Sequence, residues 1–192
     1  MSVLAVENRV PKHIPISVDL YHYMAENGVF RPDERVELID GEIFEMSPVG
    51  SLHVRCVNFL TRYLVRKLGD EYLVSIQNPI ISAFDTEPQP DLTILRYKED
   101  FYKDNLPTGL DTIIVVEVAD TSASFDRNRK FPKYAQAGIP EAWLIDLKRE
   151  AVEVHSDPAP NGYSLVKTYR RGEKITSNVI PSVELAVDDI LG

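Results

Sequence analysis

Residues 90–120, PDLTILRYKEDFYKDNLPTGLDTIIVVEVAD, decide the fold because they contain two apolar strands that each carry an acidic residue. The first strand spans residues 91–97 and begins with Asp91, and the second spans residues 112–119 and contains Glu117. A run as continuously apolar as the second is typical of a central strand covered on both faces. A carboxylate in such a run costs desolvation free energy unless it is paired, hydrogen-bonded or bound to a metal. The two acids therefore predict a metal site at the sheet.

The composition is that of an ordinary globular domain. The chain has 192 residues, of which 44% are hydrophobic and 27% are charged, and this length is enough to bury a core. We expect one domain over residues 1–192. Within it, residues 1–16 are expected to form an extended lead-in, and residues 175–192 an extended tail with a helical turn near Asp188.

The chain shows no sign of a membrane or a secretory destination. No apolar run approaches the roughly 20 residues that a membrane-spanning helix needs. Its start, MSVLAVENRVPKHIP, lacks the basic segment followed by an apolar segment that marks a secretory signal. With Cys56 as the only cysteine, neither an internal disulfide nor a cysteine-rich zinc cluster can form. We expect a cytoplasmic protein.

The formal charge of -9 argues against a surface that binds nucleic acid everywhere, because phosphate binding needs clustered Lys and Arg. A local basic groove remains compatible with this charge. The best candidate is one side of the helix predicted after residue 51, which carries Arg55, Arg62 and Arg66. Such a stripe is most often a solvated helix face.

Turn and capping signals divide the rest of the chain into helices and strands. Ser17 can cap a short helix that ends before Gly28, and Asp40-Gly41 between alternating residues indicates a β-hairpin. An amphipathic helix begins at Ser51, with Leu52 on its apolar side, and is closed by Gly69. The remaining apolar runs predict five further strands, at residues 72–76, 79–84, 141–147, 151–155 and 163–169.

A helix is also predicted after the second acidic strand, because Asp126, Lys130 and Tyr134 recur at four-residue spacing. Pro132 conflicts with this prediction, since a proline in a helix interior removes a hydrogen bond and crowds the preceding turn. Either the helix begins near Phe131 or it is kinked there.

The acidic pair suggests metal-assisted chemistry. Mg²⁺ is usually held by one or two carboxylates, with water and substrate phosphate in the remaining positions. Asp91 and Glu117 supply that pair if their strands are neighbours, and the carbonyl of Val118 adds a backbone oxygen. A nearby lysine could then orient a water while the metal neutralises charge on a phosphate, as in phosphodiester hydrolysis.

Several motifs occur in an order that resembles a known group of nucleases. Pro90-Asp91, followed on the next strand by Glu117-Val118-Ala119, resembles the PD-(D/E)XK nuclease superfamily. The wider pattern resembles the Uma-type putative restriction endonuclease family of bacteria. It consists of ELIDG from Glu37, His53 opening a helix, Asp126, Lys130, Tyr134 and GIPEAWLID from Gly138.

The resemblance implies a restriction-endonuclease-like α/β fold, in which helices flank a central mixed sheet and a helix and a hairpin precede it. It implies that Asp91, Glu117 and Glu37 are metal ligands, with Mg²⁺ as the ion and Mn²⁺ able to replace it. DNA is the implied substrate, and the family is often homodimeric. Ala119 stands where the simplest superfamily motif has lysine, and in the Uma-type pattern Lys130 takes that role beside the two acids.

Each site residue also has an ordinary structural interpretation. Glu37 could end a hairpin in solvent, Asp91 could cap a turn after a proline, and Lys130 could form a surface ion pair with Asp126. Glu117 is harder to explain in this way, since a buried structural acid needs a buried partner. The supporting candidates, which could contact the ligands or a phosphate, are His53, Asp126, Tyr134, Arg55 and Arg62.

Three functions are compatible with these residues. The first is a Mg²⁺-dependent DNA endonuclease that uses Asp91, Glu117 and Lys130. The second is a non-catalytic binding or regulatory module that keeps the nuclease fold, which the Ala119 departure and the acidic surface favour. The third is a hydrolase of a small phosphoester, which would need a narrow closed pocket.

Overall fold

A computed structural model of the protein describes residues 13–192. The expected lead-in therefore lies mostly outside the described residues, and residues 13–16 have no regular structure. Within residues 13–192, no helix has the length and apolar character needed to cross a membrane. The helices are α1 (Val18–Glu26), α2 (Ser51–Leu68), α3 (Ala123–Phe125), α4 (Phe131–Gln136) and α5 (Val187–Leu191), with a 3-10 turn at Gly69–Glu71 and a π-helical turn at Asp126–Lys130.

A six-stranded mixed sheet forms the centre of the fold, in the spatial order β3-β4-β5-β6-β7-β8. Its strands β5 and β6 are parallel, and every other neighbouring pair in it is antiparallel. The arrangement confirms the predicted mixed sheet flanked by helices. The strands are β1 (Val36–Ile39), β2 (Glu42–Glu45), β3 (Tyr72–Ile76), β4 (Leu92–Arg96), β5 (Thr112–Ala119), β6 (Glu141–Asp146), β7 (Ala151–Ala159), β8 (Gly162–Arg170), β9 (Lys174–Thr176) and β10 (Glu184–Ala186).

Strand β5 is the central strand that its apolar run predicts, and all eight of its residues are buried. Because side chains alternate along a strand, Val116 and Val118 contribute to one hydrophobic core with α2 and α5. Val115 and Ala119 contribute to a second core with α4 on the opposite face. Glu117 lies in phase with this second pair, so its carboxylate faces the helical crossover between β5 and β6.

The predicted hairpin is present as β1 and β2, with Asp40 (φ 56°) and Gly41 (φ 72°) at its turn. Positive φ at both positions is what a two-residue hairpin turn of type I′ requires. A Cβ at Gly41 would clash with the Pro15 side chain, so glycine is also needed for close contact. Two backbone hydrogen bonds join Leu38 to Glu87, and they hold the hairpin against the loop that leads into β4.

The crossover between β5 and β6 resolves the conflict at Pro132. Helix α4 begins at Phe131, as one of the two alternatives predicted, and Pro132 lies in its first turn. The preceding π-helical turn is closed by the Phe131 N–H, which donates to the Asp126 carbonyl five residues earlier. This wider turn accommodates the proline ring, which would crowd the carbonyl of the previous turn in a regular α-helix.

Three predictions about the elements are wrong. Residues 79–84 are not a strand, because successive N–H groups bond to separate segments: the Ile80 N–H donates to Pro88 and the Ile81 N–H to Pro107. Leu52, expected on the buried side of α2, is 63% exposed. The extended part of the predicted tail instead contains the strands β9 and β10, whereas the helical turn predicted near Asp188 is present as α5, and the segment packs on the core of α2.

Candidate active site

A cavity of about 300 Å³ lies where the hairpin, the start of α2, the end of β5 and the π-helical turn meet. Six carboxylates line it, against two permanent cations and one histidine. The acids are Glu37, Glu45, Asp91, Glu117, Asp120 and Asp126, the cations are Arg35 and Lys130, and the histidine is His53. A phosphate would be repelled from so acidic a cavity unless a cation entered with it.

The pairing of β4 with β5 brings Asp91 and Glu117 together, as the sequence predicts. The two strands are antiparallel and Leu92 is paired with Val116. Asp91, which precedes Leu92, therefore lies opposite Glu117, which follows Val116. Oδ2 of Asp91 accepts a hydrogen bond from the Val118 N–H at 2.8 Å. This bond fixes the carboxylate at the end of the sheet, beside the cavity.

His53 supports Asp91 from the first turn of α2. Its Nε2 lies 2.9 Å from Oδ1 of Asp91, and its side chain is 8% exposed. Nδ1 of His53 is buried and has no hydrogen-bond partner among the described residues. The structure therefore places His53 behind a predicted ligand, which is one of the two roles that the sequence left open for it.

Lys130 reaches the acids from the π-helical turn. Its Nζ lies 2.9 Å from Oε2 of Glu37, 3.3 Å from Oε1 of Glu117 and 3.9 Å from Oδ1 of Asp126. Burial alone lowers the pKa of a lysine, but the carboxylates of Glu117, Glu37 and Asp126 outweigh it and raise the pKa of Lys130. The ammonium therefore stays protonated. The interpretation of Lys130 as an exposed surface pair is wrong, since its side chain is 5% exposed.

Glu117 is held by two donors on the same oxygen. Oε1 accepts the Tyr134 hydroxyl at 2.5 Å and the Lys130 ammonium at 3.3 Å. Burial raises the pKa of Glu117 well above its usual range, with Lys130 opposing the rise and Asp126 adding to it. The physical reason is that a buried carboxylate loses its hydration, and one lysine shared among three carboxylates does not offset that loss.

Asp126 and Tyr134 complete the buried cluster on the crossover helix. Oδ2 of Asp126 accepts the Ser122 hydroxyl at 2.7 Å, and burial raises the pKa of this carboxyl. Burial and the nearby Glu117 carboxylate raise the pKa of Tyr134, so Tyr134 keeps its proton as a donor. In a regular helix, residues eight apart drift by about 80°, and the wider π turn keeps Asp126, Lys130 and Tyr134 on one face.

Glu37 is buried, with a relative exposure of 5%, and is not the solvated hairpin end of the ordinary interpretation. The Gln89 N–H donates to its Oε2 at 3.2 Å, the oxygen that Lys130 also contacts. The bonds between Leu38 and Glu87 fix the position of the hairpin beside this loop. Glu37 therefore anchors the lysine from the side opposite Glu117.

The donor chemistry of the cavity fits a hard divalent cation. Such an ion needs one or two carboxylates, and Asp91 and Glu117 both line the cavity together with Val118. Oε2 of Glu117 accepts no hydrogen bond from the part of the chain that the structure describes. Among residues 13–192, no three His, Cys, Asp or Glu side chains stand together as a ready metal-binding group. A metal would therefore be held mainly by this pair, and Glu37, a backbone oxygen, water or substrate would fill its remaining positions.

Two predicted phosphate contacts lie away from the cavity. The Arg55 guanidinium donates to the carbonyls of Ile190, at 2.6 Å, and Asp189, at 3.1 Å. It thus caps the last turn of α5, a common use of arginine at a helix end. Arg62 is exposed on the outer side of α2, and neither arginine lines the cavity.

Three charged residues of the lining were missed by sequence reasoning: Arg35, Glu45 and Asp120. Asp120 directly follows β5, so its position after a buried strand was a usable signal. Arg35 and Glu45 flank the hairpin, and the Met46 N–H donates to the Arg35 carbonyl across its open end. Nothing local marks these two residues, because their proximity to β5 depends on how the hairpin packs.

Comparisons with known proteins agree with this architecture. The model of the Uma2 family, described as putative restriction endonuclease, matches residues 18–188. An uncharacterized protein of Synechocystis sp. is 30% identical over 118 residues, which are 59% of this chain and 67% of that protein. A crystal structure of a putative nuclease from Anabaena variabilis superposes with a TM-score of 0.71 at 13% identity, covering 92% of this chain and 98% of the other. At that identity the superposition concerns the fold alone.

Proposed function

This chain belongs to the Uma2 family of putative restriction endonucleases, and on that premise we propose that it is a divalent-metal-dependent endonuclease that hydrolyses phosphodiester bonds of DNA. The observation that carries the proposal is the position of Lys130. Its ammonium is 3.3 Å from Glu117, although the strand position two residues after Glu117 is alanine. The cation that the superfamily motif supplies from the strand thus comes from the crossover helix.

Asp91 and Glu117 are the proposed metal ligands, with Glu37 and the Val118 carbonyl as predicted additional ligands. Mg²⁺ is the proposed ion, with Mn²⁺ as a substitute, because both prefer the oxygen donors that line this cavity. When bound, such an ion would neutralise charge on the phosphate and lower the pKa of a water. His53 would keep Asp91 oriented, as partners behind a metal ligand do.

Lys130 would act as a fixed positive charge. Because neighbouring carboxylates raise its pKa, it cannot accept a proton from water at neutral pH. It can donate a hydrogen bond to the attacking water or to a phosphate oxygen, and so position one against the other. In the proposed reaction, the water oxygen loses a proton to solvent and forms a bond to phosphorus, while the bond to one ester oxygen breaks and that oxygen takes a proton from solvent.

Cleavage assays test the proposal directly. Purified protein is incubated with single- and double-stranded DNA in Mg²⁺ or Mn²⁺, alongside Asp91→Ala, Glu117→Ala and Lys130→Met. We expect cleavage by the wild type and loss of it in all three variants. Asp104→Ala is the matched control, because Asp104 is an exposed carboxylate outside the lining of the cavity. Intact DNA, together with no metal binding that Asp91→Ala abolishes, would refute the proposal.

A non-catalytic module with the same fold is the second candidate. The observation that favours it is the engagement of the acids by the protein, since one oxygen of Asp91 and one of Glu117 accept hydrogen bonds and the other Asp91 oxygen lies 2.9 Å from Nε2 of His53. Metal titration by calorimetry separates the two functions. A nuclease binds the ion through Asp91 and Glu117, so their substitution removes the heat of metal binding. A non-catalytic module, in which protein donors already occupy these acids, shows no heat of metal binding that these substitutions remove.

The resemblance to this family also carries the expectation of a homodimer. Sedimentation of the purified chain over a range of concentrations tests it. A single species with the mass of one chain, 21.8 kDa, at all concentrations would contradict the expectation without affecting the proposed chemistry.

A further inference from the structure

A groove separate from the acidic cavity runs along the outer side of α2. Its volume is about 360 Å³, and it is lined by Phe59, Arg62, Tyr63, Arg66 and Lys67. Three of these five residues are cations and two are aromatic. The groove is therefore basic, although the formal charge of the whole chain is -9. A basic groove on an acidic protein is suited to a negatively charged ligand.

The cations of the groove are not used by the fold. Arg62, Arg66 and Lys67 are all exposed, and none of them forms an ion pair or a side-chain hydrogen bond within residues 13–192. Arg55 on the same helix differs from these three residues, because its guanidinium donates hydrogen bonds to carbonyls of α5. Exposed cations without partners remain free to contact phosphates.

The two aromatic rings of the groove are held in place. Phe59 and Tyr63 stack with an interplanar angle of 23° and their centroids 6.4 Å apart. The Tyr63 hydroxyl donates to the Glu184 carbonyl at 2.5 Å, and the Arg55 guanidinium lies 5.6 Å from the Phe59 centroid. Both rings are only partly buried, so they offer apolar surface at fixed positions between the cations.

We propose that this groove binds a single-stranded segment of nucleic acid. A positive groove with aromatic side chains is the arrangement by which proteins hold single strands, because unpaired bases can stack on the rings while cations follow the backbone. In a duplex the bases are already stacked on one another, so only the phosphates could contact this surface. Phe59 and Tyr63 thus favour a single strand, and Arg62, Arg66 and Lys67 supply its charge complement.

The inference deepens the proposed function and rests on it for the link between groove and cavity. His53, in the first turn of α2, contacts Asp91 at the cavity, and Arg62 and Arg66 follow on the same helix. At 1.5 Å per residue they lie about 14 and 20 Å further along its axis. Arg62 also lies about 180° around the helix from His53, at 100° per residue. A strand bound in the groove would therefore have to curve around the first half of α2 to reach the cavity, which an unpaired segment of DNA can do more easily than a stiff duplex.

Fluorescence anisotropy with a labelled oligothymidylate tests the groove. The full chain is titrated in EDTA, so that no metal-dependent cleavage occurs, and against a blunt duplex of the same length. We expect the single strand to bind more tightly than the duplex. Arg62→Ser with Arg66→Ser should weaken binding and reduce the slope of log K against log salt by about 0.7 for each phosphate that the variant no longer neutralises.

Tyr63 separates stacking from charge. Tyr63→Leu keeps an apolar side chain in the groove but removes the ring, and we expect affinity for the single strand to fall about 5- to 150-fold. Tyr63→Phe keeps the ring and should bind nearly as the wild type. Circular dichroism of each variant shows whether it is folded, and the arginine variants alter only exposed side chains.

Lys103→Ser with Lys148→Ser is the matched control, because these exposed lysines lie outside the groove and remove the same charge. Equal effects of the two double variants, equal affinity for duplex and single strand, or dissociation of a dimer by the arginine variant would each overturn the inference. Binding that depends on the groove in a protein that cuts nothing would refute the proposed nuclease alone. Cleavage with unchanged binding in the groove variants would refute the groove alone.

Discussion

Lys130 is the residue on which the candidate site depends. Ala119, the strand position that holds lysine in the simplest superfamily motif, is fully buried in the core beneath α4. A lysine there would have to displace apolar contacts, whereas Lys130 enters from the helix side and meets Glu37 and Glu117 directly. The positive charge therefore stands beside the acids, although its place in the chain differs from the simplest motif.

Lys130→Met should destabilise the protein as well as abolish cleavage. It leaves the buried carboxylates of Glu37 and Glu117 without their cation, and breaking a buried ion pair in this way costs about 3–5 kcal/mol. The loss should shrink as the pH is lowered, because the carboxyls then become neutral. Urea unfolding at neutral and mildly acidic pH measures both effects.

Lys133→Met is the matched control for this prediction. Lys133 pairs with Asp40, which is 48% exposed, and ion pairs of this kind contribute about 0–1 kcal/mol. Adding Glu117→Gln to Lys130→Met should restore part of the stability, since one uncompensated charge disappears. Equal stability of the Lys130 and Lys133 variants at neutral pH would contradict the buried-pair account.

The π-helical turn is the element that orients the site. Arg127 leaves it on one side and forms two hydrogen bonds to Glu153 on β7, at 3.0 and 2.9 Å. Lys130 leaves it on the other side and enters the cavity. His155 approaches the same Glu153 carboxylate at 3.1 Å. The turn is thus tied to the sheet behind it while it presents its lysine to the acids in front.

Pro132→Ala should change stability little. Pro132 lies in the first turn of α4, after the π turn, so it interrupts no regular series of helical hydrogen bonds. We therefore expect the free energy of unfolding to change by less than about 1 kcal/mol. Thermal unfolding of the variant measures this. A gain of about 3 kcal/mol, the cost of proline in a helix interior, would show that the residue strains the crossover.

Glu153→Gln should change how stability depends on acid. Hydrogen bonds from His155 and Arg127, opposed by burial, lower the pKa of Glu153 to about 2. A lowered pKa adds stability above the unfolded value of about 4.3, and this stability is lost as the pH falls towards 2. The variant should lack that loss, so the two stability curves should converge in acid.

Urea unfolding between neutral pH and pH about 2 gives these curves. Glu99→Gln is the control, since Glu99 is exposed and has no side-chain hydrogen bond within residues 13–192. If the stability of Glu153→Gln and that of Glu99→Gln depend on pH in the same way, the hydrogen bonds of Arg127 and His155 to Glu153 do not stabilise the protein as proposed. A lower cleavage rate in Glu153→Gln, with unchanged metal affinity, would show that the Arg127–Glu153 hydrogen bonds help to position Lys130.

For the whole molecule, the acidic cavity is a local destabilising feature. Six carboxylates face two permanent cations there, and they come from the hairpin, the strand ends and the crossover. Their mutual repulsion is reduced when a divalent cation enters. The folded chain should therefore bind such an ion through groups that are far apart in the unfolded chain.

Mg²⁺ or Mn²⁺ should raise the thermal unfolding midpoint. An ion that binds only the folded state adds about 2.7 kcal/mol at 100 times its Kd. Asp91→Ala and Glu117→Ala should remove the shift, and the exposed control Asp104→Ala should retain it. A shift of equal size in all four proteins would mean that the ion binds elsewhere.

The sequence by itself determined most elements and identified the buried acids. The hairpin at Asp40-Gly41, the helix closed by Gly69 and the central strand around Glu117 all follow from local physics: turn residues that accept positive φ, capping, and apolar periodicity. The resemblance to a family added Lys130, which no local pattern would have chosen over an ordinary ion pair with Asp126.

Only the tertiary structure decided which charged groups meet. The ammonium of Lys130 lies between Glu37 and Glu117 because a π turn and a hairpin pack against the same strand end, while Arg55, predicted at the phosphate, is held by α5. The packing of the C-terminal segment was missed for the same reason. Local patterns set backbone conformation, but burial and charge pairing depend on segments distant in sequence, whose contacts form only when the chain folds.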